Sequence, residues 1–222
     1  MPLAPDWAAQ ARTAFAGARD PKGVEPAVVT FHRRLDEILE ASVRGHAVGI
    51  ACKPGCHYCC HLPVHVRPYE AFALAAWLRG QLAPAQVDAL RDRLRANLVR
   101  TVALGEEGRK RVNLACALLD AQGKCTAYAM RPAQCRKFHS TDLATCEASF
   151  ARPEDDSIPS PEHPAMAHNA AVIIAQAANA ARDAGFDSAA YDLNAALLEA
   201  LENPKAERRW RDGKKAFINT RA

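Results

Sequence analysis

The sequence predicts a mostly α protein: a single-domain helical bundle with one small β-hairpin and a cysteine-rich metal site. Three observations carry that reading. Alanine supplies much of the apolar content and aromatic residues only 6% of the chain, which suits thin, closely packed helices better than a β-sandwich. Apolar residues recur at spacings of three and four over long stretches, the helical period. The eight cysteines fall in two arms and nowhere else. The first arm is Cys52, Cys56, Cys59 and Cys60, at C-x3-C-x2-C-C, and the second is Cys116, Cys125, Cys135 and Cys146. At 222 residues the chain fits one helical domain, 1–202, with a metal-binding core at about 45–150 and a basic tail, 203–222.

The elements follow in order. Asp6 can cap a first helix to about Ala18, and Asp20-Pro21-Lys22-Gly23 breaks it. Pro26 suits the first turn of a second helix to about Arg44, whose core face is Val28, Phe31, Leu35, Ile38 and Leu39. Gly45 and Gly49 loosen the chain before the first arm. Leu62–Val66 reads as extended. Pro68 opens a helix to about Leu78 and Pro84 another through Leu104, with Val87, Leu90, Leu94 and Leu98 on one stripe and Arg91 and Arg95 expected in solvent. Together these two are expected to form a helical hairpin between the arms. Residues 117–119 and 124–128 read as two short strands around Gly123, and Pro132 starts a short helix carrying Cys135. A loop with four prolines, 152–164, precedes a helix over 165–184 closed by Gly185. Asp187 or Ser188 can cap the next, to about Glu202.

Charge is uneven. From Asn203 onward seven basic residues face two acids, a balance of +5, so with +4 for the whole chain the preceding residues sum to −1. The tail is expected as a mobile or weakly helical appendage outside the site, with Trp210 and Phe217 arguing for some docking. A nucleic-acid role is not favoured, because a short cationic tail grips phosphates without selectivity. No stretch of the sequence is long and apolar enough to span a membrane, and the first residues show no signal-peptide pattern. The expected setting is therefore the cytoplasm, whose reducing conditions keep thiols free rather than in structural disulfides.

Thiolates are soft ligands for zinc and iron, and cysteines two or three residues apart converge on one metal at small closure cost. Metal ions are thus the first expected partner, held by Cys52, Cys56, Cys59, Cys60, Cys116, Cys125, Cys135 and Cys146. Adjacent Cys59 and Cys60 point their side chains apart. The simplest arrangement gives Cys60 to the second arm and lets the triad Cys52, Cys56, Cys59 take its fourth ligand from that arm, so the arms share metal. Sites of four thiolates are anionic, and Lys53, Arg67, Lys124, Arg131, Arg136 and Lys137 flank them. Arg131 and Arg136 are the candidates to grip cluster sulfurs or an anionic substrate. The aromatic Tyr128 and Phe138 are expected to pack around the site; His57, His61, His65 and His139 are expected as packing or surface residues. Radical-SAM chemistry matches Cys52, Cys56 and Cys59 but lacks the repeated βα units such a barrel needs. No catalytic residue stands out, and whether the chain is an enzyme is left open.

Taken together, C-x3-C-x2-C-C, Cys116, Asp120, Gly123, Cys125, Tyr128, Arg131-Pro132 and Cys135-Arg136 resemble the CxxCxxCC cysteine-cluster family (YkgJ-like, described as zinc- or iron-chelating) over about residues 50–147. The first gap is three residues where the family's name has two, and Ala117 stands where a proline is expected. The resemblance implies a bacterial protein whose eight cysteines build a metal or iron–sulfur site; a related domain occurs in flagellin lysine methylases. Two functions follow as expectations. One is an iron–sulfur or iron protein for redox or modification chemistry, working beside a partner enzyme. The other is a structural zinc module whose surface binds a protein or nucleic acid.

Overall fold

The computed structural model of the chain describes residues 7–44, 47–53 and 55–218. Among them the helices are α1 (Trp7–Gly17), α2 (Val24–Val43), α3 (Pro68–Gln81), α4 (Pro84–Lys110), α5 (Ala133–Lys137), α6 (Leu143–Ala151), α7 (Pro164–Asp183), α8 (Leu193–Glu202) and α9 (Pro204–Arg211). Asp6 and Gly45, read as a cap and a break, lie outside the described residues. Prolines at the first turn set the starts of α3, α4, α7 and α9, where a missing N–H leaves no carbonyl unpaired. In α2 the repeat Val28, Phe31, Leu35, Leu39 is buried as the periodicity requires.

Helices α1, α2 and α7 pack together on one side, and α3, α4 and α8 on the other. One apolar core runs through both sides, with Phe15 edge-on to Tyr69 at 4.7 Å at its centre. The expected hairpin of α3 and α4 is not a close pair. Each lies instead along α8, whose last carbonyls accept hydrogen bonds from Arg79 and Arg91. Cations at a helix C-terminus complement its dipole, which is why Arg91 is half-buried rather than free in solvent. Gly105 (φ 67°) breaks α4 into two helical pieces, a backbone setting that a side chain would strain.

Two further elements differ from expectation. The strands around Gly123 shrink to a single bridge, Leu119 to Cys125. The two-stranded sheet lies elsewhere, as β1 (His65–Val66) antiparallel to β2 (Tyr191–Asp192). That pairing delays α8 to Leu193, where the Asp192 carboxylate accepts from the amides of Asn194 and Ala195.

The basic segment is seated rather than appended. Trp210 and Phe217 are fully buried; Trp210 stacks on Phe186 at 4.2 Å and donates its indole N–H to the Asp187 carbonyl. The Asp187 carboxylate accepts from Tyr191 Oη and from the Ala216 amide. The segment buries Ala206, Trp210, Ala216 and Phe217, while Lys205, Arg208, Lys214, Lys215 and Ile218 remain exposed.

Buried in the core, His32 places Nε2 3.4 Å from Glu70 Oε1. Glu70 also accepts from the Arg67 and Ala133 amides, so it joins the starts of α3 and α5 to α2. Burial holds the His32 imidazole below its ordinary pKa of 6.5, against the pull of Glu70. A depressed folded pKa means the unfolded chain binds the extra proton first. The stability tied to neutral His32 is complete above about pH 6.5 and is lost as pH falls below it. Urea denaturation between pH 8 and 5 should show this loss, and His32→Gln should flatten it; equal slopes for both proteins would refute the assignment.

Candidate metal centre

All eight cysteines are free thiols, and the fold draws them together from both arms. A short 3-10 turn, Tyr58–His61, fixes Cys59 and Cys60, with the Cys60 amide bonded to the His57 carbonyl. Two straps bind the first arm to the second. The Cys116 amide donates to the Cys60 carbonyl at 2.9 Å, and the Ala51 amide to the Ser140 carbonyl at 2.8 Å. The buried Arg109 adds a clip, its guanidinium reaching the carbonyls of His61, Val112 and Leu114. Helix α6 carries Cys146 and packs on the 58–61 turn, where Phe150 meets the His61 ring edge-on at 4.8 Å. The turn that brings Cys125 back needs Gly123 (φ 72°), because a Cβ there would stand 3.0 Å from the His57 ring.

The thiols fall into two neighbouring groups. Cys52, Cys56, Cys59 and Cys146 line one partly enclosed cavity of about 170 Å³. Cys60, Cys116, Cys125 and Cys135 are the other four: Cys60 feels the charges of Cys59, Cys116 and Cys135, and Cys135 those of Cys116, Cys125 and Cys59. Cys116, Cys125 and Cys135 also pack against the apolar core. Burial pushes the Cys116 thiol up to about 11 and Cys135 well above its ordinary value. Burial likewise raises Cys52 and Cys125. Contrary to the expectation that they point apart, Cys59 and Cys60 interact, which lowers the Cys59 thiol and raises that of Cys60. A thiolate in such surroundings needs a compensating cation, the ordinary situation of a metal ligand. As the side chains stand, no group of three or more His, Cys, Asp or Glu among the described residues is closed around a metal position.

The flanking cations divide in role. The Arg136 guanidinium is fully engaged, donating to Asp36 Oδ2, to the Ala129 carbonyl and to the Arg131 carbonyl. It ties α5 to α2. Arg131 lies 3.8 Å over the Tyr128 ring, and its charge reaches both Cys59 and Cys125. Its Nε is buried without a partner among the described residues. Tyr128 does not pack around the site: it is 65% exposed and serves Arg131 as a platform. Phe138 does line the outer cavity. His139 is spent structurally, its ring bonded to the Lys137 carbonyl and the His163 amide. His61 Nδ1 lies 3.2 Å from the His57 carbonyl, and His65 belongs to β1. Sequence reasoning passed over Glu70, Arg109, Asp36 and Phe150. Glu70 had a signal, an acid three residues into a helix opened by proline; the other three act through contacts distant in sequence.

A family model described as "CxxCxxCC: Putative zinc- or iron-chelating domain" matches residues 51–157. No curated protein and no solved structure matched the chain. No helix among the described residues is long and apolar enough to cross a membrane. The match covers both cysteine arms, the helices between them and the start of the loop after α6. Over residues 51–157 the chain is thus similar to the CxxCxxCC family.

Proposed function

We propose that this protein holds two four-thiolate metal sites, each built from both arms. Cys52, Cys56, Cys59 and Cys146 hold the outer one; Cys60, Cys116, Cys125 and Cys135 hold the inner one. The reading is supported by Cys52, Cys56, Cys59 and Cys146 lining one cavity while Cys60 feels the charges of Cys116 and Cys135. Four soft donors per group suit zinc, iron or an iron–sulfur cluster. The outer group opens on a cavity, and a cluster with its own sulfides needs more room than a single ion, so iron–sulfur chemistry is assigned there. Such a cluster, when bound, supplies electron transfer or activates a substrate for modification. Arg131 offsets the anionic charge between the groups, and Arg136 positions α5, which carries Cys135. Eight cysteines serving as metal ligands suit a reducing compartment such as the cytoplasm, with a partner enzyme or redox protein as the counterpart in this reading.

Structural zinc in both groups is the second reading, favoured by the packing of the inner cysteines against the core. Metal analysis and an absorption spectrum on protein purified without air separate the two. Iron with visible absorption that bleaches in air is expected; colourless protein with zinc in both groups would establish the second reading. Metal below one equivalent per chain would refute both.

A further inference from the structure

Helix α2 and the short 3-10 turn Tyr128–Met130 enclose an open groove of about 380 Å³ that no cysteine lines. Val29, Ala129 and Met130 give it an apolar side. Asp36, Glu37 and Glu40, on neighbouring turns of α2, give it an acidic one. Its two cations are Arg136, already engaged by Asp36 and two carbonyls, and the exposed Arg33. Three carboxylates against two guanidinium groups leave the walls one unit negative. Neither Glu40 nor Arg33 has an ion-pair partner among the described residues. The deciding group is His32, also on the wall and only 4% exposed. Its Nε2 lies 3.4 Å from Glu70 Oε1, and an ionised carboxylate only accepts, so Nε2 carries the hydrogen. Nδ1 is then a bare lone pair, buried without a partner among the described residues. Buried polar atoms ordinarily find one. What this atom lacks is a donor, which an anion does not offer. Asp36 stands one turn along α2 from His32, on the same face, and its charge and that of Arg136 reach the ring.

We propose that this groove binds a small primary ammonium, its N–H groups turned to His32 Nδ1 and the Asp36 carboxylate and its apolar stem against Val29 and Met130. An ammonium brings three donors and one positive charge, which answers both the bare lone pair and the negative walls. Glu37 and Glu40 add to the attraction from the rim. The inference stands apart from the metal reading, because no wall of the groove is a cysteine.

The test is an NMR titration of the full-length, isotope-labelled protein with butylamine and with butyrate, following the histidine ring nitrogens. At about pH 7.5 the amine is protonated and His32 is neutral. Saturable binding of butylamine is expected, with the His32 Nδ1 resonance moving as it accepts a hydrogen bond, and butyrate should not saturate. Ala129→Trp and Val29→Trp, at exposed positions on the two walls, fill the groove and should each abolish saturation. Asp36→Asn should weaken butylamine by about threefold, the effect of one partly exposed ion pair. No saturable butylamine binding, butyrate binding as tight as the amine's, or amine affinity unaltered in both tryptophan variants would overturn the site. Saturation with the His32 Nδ1 resonance unmoved would overturn the contact with His32.

Discussion

Cys135→Ser is expected to strip metal from both groups of cysteines, although Cys135 belongs to only one. Serine is a poor ligand for a soft metal at neutral pH, so the inner site loses one of four donors. An emptied inner site releases Cys60, and with it the 58–61 turn that also presents Cys59 to the outer site. Total metal should fall by at least half, and the loss should appear in the outer group too. Ligand binding to the folded state at a thousandfold excess over Kd stabilises it by about 4 kcal/mol. Losing that shifts the melting temperature of a chain this size by on the order of 10 °C. Metal-free Cys135→Ser and metal-free wild type should melt alike, which separates the metal effect from a packing defect. A variant with full metal content and an unchanged melting curve would sink the two-site arrangement.

Trp210→Ala should produce the opposite pattern, a large loss of stability with metal content per folded molecule retained. Trp210 is fully buried between Phe72 and Phe186, and its indole N–H is bonded to Asp187. Removing a buried tryptophan typically costs about 3–5 kcal/mol, or roughly 6–20 °C in melting temperature. Lys214→Ala, exposed on the same segment, should stay within about 0.5 kcal/mol of wild type. Thermal denaturation of the two variants checks the contrast, and a Trp210→Ala melt within 2 °C of wild type would show that the segment only rests on the surface.

The helices were legible because their signals are local. Prolines open α3 and α4, Gly185 ends α7, and the repeat in α2 shows its buried face, whereas α6 and α9 were not read as helices. The approach of the two arms was legible in part, since the first four cysteines sit within nine residues, and the Cys116 amide bonds to the Cys60 carbonyl. Cys146 as the companion of Cys52, Cys56 and Cys59 was not, because the proximity depends on α6 folding back over the 58–61 turn. The sheet was equally hidden: His65–Val66 and Tyr191–Asp192 are two residues each and far apart in sequence. The seating of the basic segment was half visible, in Trp210 and Phe217, but its net charge argued for solvent. Burying Trp210 and Phe217 while the cations stay exposed satisfies both.

The family's stretch begins at residue 51, yet the salt bridge that holds Arg136 is made by Asp36, and Glu70 faces His32. On the far side β1 depends on β2, and α4 lies along α8, both after residue 157. The cysteine arms are thus an inlay, not a cassette. Cutting the gene at the family's borders would remove Phe15 and Phe31 from Tyr69 and leave that face open to water. Grafting such an arm pair into another scaffold would need the flanking helices to travel with it.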